Sequence, residues 1–428
     1  TPIPTDPDKV VTLEPAQTAQ TMIGFGGGLT WYCDRITSSP HKAEIIDKMV
    51  NDLGLDMVRF KNWYYPLNYP QNKTPNQFEV SWFGNHYTAT NELYNLLKQA
   101  NPDIEVLLSA WGPPSALKSN GQLEGGTLKK ENDAFMYDAY ATWWEDVLDH
   151  LPFVPDYLSI QNEPTWVADW TTCEWRATET SQFPGYATAF GLVAGRLATR
   201  NPRPQLLGPE SASLGYDAFD AFANALRDNP DLDVYGYHPY NFNESTPLSD
   251  IRNRLTELGG SFNDRPLIMT EYDGMSWMKT AQFINSTLRE ANTAAYLYWT
   301  LMWEENSDLA MFKIAANGEY ELSPFYYLIK HYARYVDKGY QRIDLSTGNT
   351  ALDQVAFLHP DGDRITVITL NPGQEALSIQ FAVEGKTIKG ITTYQSTEDS
   401  WFTARTVAPG AAVGLRAASV TTTVLELE

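Results

Sequence analysis

The chain alternates short β-rich segments with amphipathic helical segments eight times, and this repeat constrains the fold more than any other feature. The β-rich segments are residues 23–27, 57–60, 104–110, 157–162, 205–208, 234–237, 266–270 and 295–299. Helical periodicity follows each one, near 40–53, 88–101, 131–151, 185–200, 217–229, 247–259, 278–292 and 324–335. Eight β-then-α units are the number that closes a (β/α)8 barrel, so we expect an α/β fold with a barrel over residues 23–335. A doubly wound open sheet is the alternative.

Local signals support several of the helix starts. Ser39 followed by Pro40 is typical of a helix start, because serine caps the first turn and proline fits into it. Asn132 and Asp133 are expected to open the third helix in the same way.

The character of the sequence changes after residue 336. Further β-rich segments lie at 355–358, 364–370, 378–383, 388–394, 413–416 and 420–427, with turn residues between them and no helical pattern. We therefore predict a small antiparallel β-sandwich side domain over residues 336–428. Residues 10–13 have the same character, so the N-terminal segment 1–22 is predicted to add a strand to this sandwich.

The charge and the cysteine content exclude several classes of protein. Asp and Glu number 53 against 31 Lys and Arg, a net charge of −22, so neither nucleic acid nor an anionic membrane surface is an expected partner. No run of about 18 apolar residues is present, so no membrane span is expected. Cys33 and Cys173 either form one disulfide or remain buried thiols, and cannot build a zinc site by themselves. Residues 1–7 lack the features of a secretion signal, so any such signal has been removed or was never present.

Two glutamates stand where the active sites of such barrels lie, at the C-terminal ends of the strands. Glu163 ends the fourth unit and Glu271 ends the seventh, and we expect these strands to lie on opposite sides of the ring. Two carboxyl groups that face each other across a cleft are the requirement of glycoside hydrolysis, in which one donates a proton and the other stays ionised. A separation of about 5–5.5 Å predicts a covalent intermediate and retention, and about 6.5–9.5 Å predicts inversion.

Other polar residues at the same face are interpreted as supporting groups. Asn162 is placed to bind a sugar hydroxyl, and Arg59 to hydrogen-bond a catalytic carboxylate, which would keep Glu271 ionised. Glu210 is interpreted as a supporting or structural group. His238 is expected to hydrogen-bond rather than to bind metal, because no partner at ligand spacing accompanies it. Glu304 and Glu305 follow strand eight in a loop and are expected to be solvated.

The aromatic content suggests sugar rings as the ligand. The chain has 13 Trp, and the C–H faces of sugars stack on indole and phenol planes. The candidates at the mouth of the barrel are Trp31, Trp63, Trp111, Trp166, Tyr240, Tyr272, Trp299 and Trp303. The alternative for each ring is packing beneath neighbouring loops.

The chain resembles glycoside hydrolase family 30, of the clan of retaining (β/α)8 glycosidases. The matching motifs are GFGG at 24–27, WGPP at 111–114, QNEP at 161–164, GPES at 208–211, HPY at 238–240, MTE at 269–271, YW at 298–299 and GY at 339–340. The resemblance implies that Glu163 is the acid/base and Glu271 the nucleophile.

Within this family, residues 111–118 are most similar to the bacterial xylanase branch (subfamily 8 and its neighbours). That branch hydrolyses β-1,4-xylan, and many of its members bind a glucuronic acid side group through an arginine and a tyrosine in the loop after strand eight. Here residues 299–310 contain no arginine and three acids, which predicts a xylanase that does not depend on glucuronate.

The sequence therefore predicts a secreted, monomeric, retaining endo-β-1,4-xylanase that needs no metal or organic cofactor. The alternatives are an exo-acting enzyme that releases xylobiose, a β-glucanase or β-glucosidase of the same fold, and a non-catalytic carbohydrate-binding protein. Exo action requires a blocked cleft, and the segments 61–87 and 164–184 are where such a wall is expected.

Overall fold

The computed structural model describes residues 9–64, 86–347 and 350–428. Eight parallel strands form a closed barrel and are numbered one to eight in chain order. They are Gly24–Gly28, Met57–Lys61, Glu105–Ser109, Tyr157–Ser159, Gln205–Ser211, Val234–Tyr237, Leu267–Met269 and Ala295–Tyr298. Strand eight pairs with strand one, which closes the ring. The predicted (β/α)8 barrel is confirmed, and most of segment 61–87, residues 65–85, lies outside the described residues.

Helices surround the barrel close to where periodicity predicts them. Their bounds are Cys33–Ser38, Lys42–Asp47, His86–Ala100, Tyr137–His150, Tyr186–Leu197, Ala221–Leu226, Leu248–Ser261, Trp277–Glu290 and Pro324–Ala333. π-Helical turns at Lys48–Asp52 and Tyr216–Asp220 adjoin two of them. The helix expected to open at Asn132 begins at Tyr137 instead. Asn132 and Asp133 occupy a hairpin turn with φ of 50° and 63°, a left-handed conformation that asparagine and aspartate tolerate well.

The strands build an apolar floor below a polar layer. Met57 and Leu107 pack in a cluster inside the barrel with Tyr157. Side chains two positions further along a strand point to the same face. That alternation places Arg59 and Ser109 inside the barrel, one layer closer to its mouth. The sequence of each strand therefore decides at which depth polar groups appear.

The side domain is a nine-stranded sheet with an apolar core of its own. In spatial order its strands are Ser400–Val407, Ile388–Thr397, Ser419–Leu427, Arg364–Asn371, Asp353–Leu358, Gln341–Thr347, Lys9–Thr21, Leu377–Val383 and Val413–Leu415. The predicted side sandwich with its N-terminal strand is confirmed. One detail differs, since Lys9–Thr21 pairs in parallel with Leu377–Val383 while the other pairs of the sheet are antiparallel. The boundaries predicted at 22 and 335 stay predictions.

Buried polar contacts join the barrel to the side domain. His331, in the last helix of the barrel, hydrogen-bonds Thr422 and Ser396 at 2.9 and 2.8 Å. Arg289 reaches Asp353 at 2.8 Å. These contacts attach the side domain to the helical face of the barrel.

The segment after strand eight contains structure that the sequence pattern did not predict. Met302–Glu304, Phe312–Ile314 and Tyr320–Leu322 form a separate three-stranded sheet. It holds Trp303 near the mouth of the barrel. Glu304, expected to be solvated in a loop, lies in this sheet and pairs with Arg35 at 3.7 Å.

Two open questions of the sequence have structural answers. Cys33 and Cys173 are separate, buried thiols. Among the helices within the described ranges, none is both long and apolar enough for a membrane span.

Candidate active site

Glu163 and Glu271 meet at the mouth of the barrel. Oxygens of the two carboxyl groups and a ring nitrogen of His238 lie within 4.8 Å of one another. The sequence predicts that the strands carrying the two glutamates lie on opposite sides of the ring, and this prediction is wrong by one position. Only strands five and six lie between strands four and seven, so the two strands are three positions apart. The carboxyl groups nevertheless face the same space.

The backbone at this end of the barrel is held in an unfavourable conformation. Glu163 and Glu210 have φ of 48° and 56°, in the left-handed region that costs a non-glycine residue about 1–3 kcal/mol. The Glu163 N–H donates to the Glu210 carbonyl at 3.0 Å, which ties the two strand ends together. Such strain persists only where the surroundings impose it, and it is concentrated at functional sites.

Arg59, on strand two, contacts residues at the ends of strands four, five and seven. Its guanidinium donates to Glu271 at 2.5 Å, to Glu210 at 2.8 Å and to the Asn162 amide oxygen at 2.5 Å. It also lies under the ring of Trp111, with the guanidinium carbon 4.6 Å from the ring centroid. Arg59 and Glu210 are fully buried, so this one cation fixes the positions of two carboxylates and an amide.

His238 forms the second positive bridge of the site. Its Nδ1 lies 3.0 Å from Glu163, and its Nε2 lies 3.8 Å from Glu210. Glu163, His238, Glu210, Arg59 and Glu271 thus form an arc of alternating charge. We call these five residues the charge arc.

The charge arc shifts the proton affinities of its members. Burial alone would lower the pKa of His238, but Glu271, Glu163 and Glu210 outweigh it and raise that pKa to about 9. Burial would raise the pKa of Glu210, but Arg59 and His238 lower it to about 2. These directions favour an ionised Glu210 and a protonated His238 at neutral pH.

Glu271 experiences opposing influences. Burial raises its pKa above the ordinary value and the charge of Glu163 adds to this, while His238, Arg59 and the Tyr240 hydroxyl act against it. Tyr240 donates to the second Glu271 oxygen at 3.0 Å. A proton on Glu163 removes the repulsion between the two glutamates, so protonating one favours ionisation of the other.

A pocket of about 530 Å³ opens above the glutamates, within the range of ~300–1,000 Å³ typical of ligand sites. Its walls are mostly indole rings. The lining residues are Trp31, Trp111, Glu163, Trp166, Trp170, Ala212, Tyr240, Glu271, Trp299 and Trp303.

Trp31 is the centre of the indole wall. It makes edge-to-face contacts with Trp63, Trp111, Trp299 and Trp303, with ring centroids 5.6–6.0 Å apart. Gly28 allows Trp299 to pack against strand one, because a Cβ there would lie 2.9 Å from its ring. The wall is therefore held by contacts between its own rings.

Two of the aromatic residues predicted to bind sugar do not line the pocket. Trp63 is buried, stacks on His86 and donates its indole N–H to the Thr30 carbonyl at 3.1 Å. Tyr272 is also buried, and its hydroxyl donates to the Phe242 carbonyl at 3.0 Å. Their rings satisfy packing needs behind the wall, so the expectation that they lie at the mouth is corrected. Asn162, Arg59 and His238 lie below the pocket and contact one another or the carboxylates.

Sequence reasoning missed two residues of the site. Trp170 lines the pocket, and its position in the segment 164–184 could have indicated it. Lys61, two residues after Arg59, is buried with its ammonium 3.7 Å from the ring centroid of Trp63 and 4.9 Å from that of Trp31. A cation below indole rings stabilises them through their negative faces.

Potential metal ligands come together at two places within the described residues. Glu163, His238 and Glu271 form one group, and His359, Asp361 and Asp363 form the other on an exposed turn. In the first group His238 is already hydrogen-bonded to Glu163 through Nδ1, and its raised pKa favours the protonated ring, whereas a ligating imidazole must be neutral. The donor set therefore suits a proton-transfer site better than a metal centre.

Comparisons with known proteins find a family model for the side domain and a curated relative for most of the chain. Residues 339–409 match the family model of the glycosyl hydrolase family 30 beta sandwich domain. The lysosomal acid glucosylceramidase of Mus musculus is 21% identical over 418 residues, covering 86% of this chain and 78% of the relative.

Solved structures share the fold over nearly the whole chain. The glycoside hydrolase family 30 subfamily 8 xylanase Xyn30A of Clostridium acetobutylicum has a TM-score of 0.74 at 20% identity, covering 97% of this chain and 99% of the other. The catalytic domain of GH30 xylanase C from Talaromyces cellulolyticus has a TM-score of 0.77 at 17% identity, with the same coverage. The side-domain match, the curated relative and the shared fold thus relate this chain to glycoside hydrolase family 30, as its sequence motifs predict.

Proposed function

We propose that this chain is a retaining glycoside hydrolase that cleaves β-1,4-xylan within the polymer. The observation that carries the proposal is the approach of Glu163 and Glu271 oxygens to within 4.8 Å. Carboxyl groups about 5–5.5 Å apart suit a double displacement, whereas inverting enzymes separate them by about 6.5–9.5 Å to admit a water.

In this mechanism Glu271 is the nucleophile. It attacks the anomeric carbon while Glu163 donates its proton to the leaving glycosidic oxygen, so that a glycosyl ester forms and the alcohol departs. Glu163 then removes a proton from water, which attacks the ester and releases Glu271. Arg59 and Tyr240 support this assignment, because both donate hydrogen bonds to Glu271 and so favour its carboxylate.

Asn162 and the indole wall are assigned to substrate binding. Arg59 donates a hydrogen bond to the Asn162 side-chain oxygen, so the NH₂ group of Asn162 is the part proposed to donate to a sugar hydroxyl. Trp31, Trp111, Trp299 and Trp303 offer flat apolar faces to the sugar rings.

The preference for xylan is supported by the names of the two structural neighbours and by the indole-lined pocket. Independence from glucuronate is supported by the loop after strand eight. Glu305 and Asp308 are exposed there and would repel a carboxylate, and Arg35, the guanidinium beside this loop, is already paired with Glu304. Because xylan is an extracellular polymer, we further propose that the chain is secreted, and the monomeric state expected from the sequence stays a prediction.

Hydrolysis of a glucosylceramide-like substrate is the second candidate. It is favoured by the mouse glucosylceramidase, which aligns with 86% of this chain. A lipid-linked glucoside and a xylan chain share a β-linked pyranose ring. They differ in the sugar, because xylose lacks the C6 hydroxymethyl group of glucose, and in the group that leaves.

Product analysis separates these candidates. The purified chain is incubated with linear xylohexaose, glucuronoxylan and glucosylceramide, and the products are resolved by chromatography. We expect mixed short xylo-oligosaccharides from xylohexaose. Xylobiose alone would indicate exo action, activity confined to glucuronoxylan would reject glucuronate independence, and glucose from glucosylceramide alone would favour the second candidate.

Variants test the two roles. Glu271→Gln should lower kcat by about 10⁴-fold or more, because it removes the nucleophile. Glu163→Gln should lower kcat by about 10²–10⁴-fold on xylohexaose. The matched control is Glu305→Gln, on an exposed position of the strand-eight loop. Unchanged turnover in either catalytic variant would reject the mechanism.

A further inference from the structure

Trp166 and Trp170 extend the pocket beyond the two glutamates. Both line the pocket, and their side chains are 47% and 48% exposed, with Val167 between them at 51%. Exposed aromatic side chains that adjoin a pocket mark a binding surface more often than a structural one. We call Trp166 and Trp170 the indole lip.

The segment that carries the indole lip is attached to the barrel at several points. The Trp166 N–H donates to the Glu163 carbonyl at 2.9 Å, and the Trp175 N–H donates to the Pro164 carbonyl at 2.6 Å. The Thr172 hydroxyl accepts from the Gly125 N–H at 3.0 Å, and its carbonyl accepts from the buried Lys118 ammonium. The lip is therefore held at a defined position relative to Glu163.

The position of the lip identifies which part of a substrate it faces. In the proposed mechanism Glu163 protonates the leaving oxygen, so the departing part of the substrate lies on the Glu163 side of the cleavage point. Trp166 is bonded through its backbone to Glu163, and Trp170 continues along the same segment. The lip is thus on the leaving-group side.

We propose that the indole lip binds the leaving part of a polysaccharide chain and forms binding subsites beyond the cleavage point. This inference rests on the proposed function and deepens it. It assigns a role to Trp170 and gives Trp166 a defined side of the cleaved bond.

The chemistry of the lip favours a saccharide over an acyl chain. Indole faces match the C–H faces of sugar rings, and Asp169, which precedes Trp170 in the chain, is an exposed carboxylate that can accept hydrogen bonds from sugar hydroxyls. Of the exposed apolar side chains in this segment, only Val167 is aliphatic. A surface for a lipid tail would need a groove of aliphatic groups and no charge within it.

The test compares two substrates whose main difference lies on the leaving side. Xylohexaose places several sugars beyond the cleavage point, whereas β-xylobiosyl fluoride places a single atom there. For Trp166→Ala and Trp170→Ala, we expect kcat/KM on xylohexaose to fall about tenfold each, while the value on the fluoride stays within about twofold. Trp170→Phe should recover most of the loss, because it retains an aromatic face.

Tyr216→Ala is the control, since Tyr216 is 61% exposed and does not line the pocket. This variant should leave kcat/KM unchanged on both substrates. Equal losses on both substrates, or no loss on xylohexaose, would overturn the inference while leaving the hydrolase proposal standing. Losses on octyl β-glucoside with xylohexaose unaffected would assign the lip to a lipid instead. An inactive wild type on both xylo-substrates would reject the proposed function itself.

Discussion

Beneath the pocket Arg59, His238 and Glu210 are fully buried and held by charged partners, whereas at its edge Trp166 and Trp170 are nearly half exposed. The charge arc fixes atoms on which bonds would be made and broken, so small displacements there are costly. The indole lip offers flat faces that tolerate sliding and rotation of a sugar chain. The residues proposed for the chemical step are thus held rigidly by buried ion pairs, whereas those proposed to bind the substrate chain are exposed aromatic surfaces.

Removal of Arg59 from the buried charge arc should have the largest effect on stability and activity. Arg59→Leu leaves Glu210 and Glu271 without their cation, and loss of one partner of a buried pair costs about 3–5 kcal/mol. We expect a lower free energy of unfolding in urea and activity near background. Arg196→Leu, which removes an exposed ion pair with Asp138, should leave the urea midpoint unchanged. Equal effects of the two variants would contradict the contrast.

Neutralising Glu210 should shift the titration of His238. Glu210, Glu163 and Glu271 together raise the pKa of His238 to about 9, so Glu210→Gln should lower that pKa. The midpoint of the His238 ring titration, followed by NMR, should then move to lower pH, with folding retained. A titration profile superimposable on that of the wild type would show that Glu210 does not interact with His238 as the charge arc requires. Glu305→Gln serves as the control.

The same variant should reveal the pH window in which the charge arc stabilises the fold. The pKa of Glu210 is lowered from 4.5 to about 2, so its contribution is present above pH 4.5 and is lost as the pH falls towards 2. The pKa of His238 is raised from 6.5 to about 9, so its contribution is complete below pH 6.5 and is lost as the pH rises through 9. The stability difference between wild type and Glu210→Gln should therefore be largest between pH 4.5 and 6.5. Thermal unfolding at several pH values measures it, and a constant difference would contradict the linkage.

Truncation of one indole of the wall should have the smallest effect. Trp303 lines the pocket and contacts Trp31 and Trp299, so Trp303→Ala removes one sugar-facing ring and leaves the charge arc intact. We expect KM on xylohexaose to rise about threefold to tenfold with kcat nearly unchanged, the pattern of lost uniform binding. A fall in kcat without a change in KM would instead connect this ring to the chemistry.

Prediction from sequence succeeded where local pattern and chain order suffice. The eight strands were predicted within a few residues because buried parallel strands are apolar runs between helical segments. The side-domain strands Gln341–Thr347 and Ser400–Val407 were missed, because neither shows a clear apolar pattern. Much of Ser400–Val407 is exposed at the edge of its sheet, where no packing demands apolar side chains.

The candidate site shows the same division. Glu163, Glu271 and Arg59 could be named from the sequence, because each stands at or near a strand end and all strand ends of a parallel barrel meet at one face. Trp63 and Tyr272 could not be placed, because whether a ring faces a pocket or packs behind it depends on neighbours distant in the chain. His86 stacks on the ring of Trp63, and the Phe242 carbonyl accepts a hydrogen bond from the Tyr272 hydroxyl.

The sequence by itself thus determined the barrel, the side sandwich and the strand ends that carry the carboxyl groups, because periodicity and order along the chain are local properties. Only the tertiary structure decided that an oxygen of Glu163 and an oxygen of Glu271 lie within 4.8 Å of each other, that His238 lies between Glu163 and Glu210, and which indoles meet solvent. Distances, burial and the electrostatic field at a titratable group are sums over residues brought together by folding, and no local pattern encodes them.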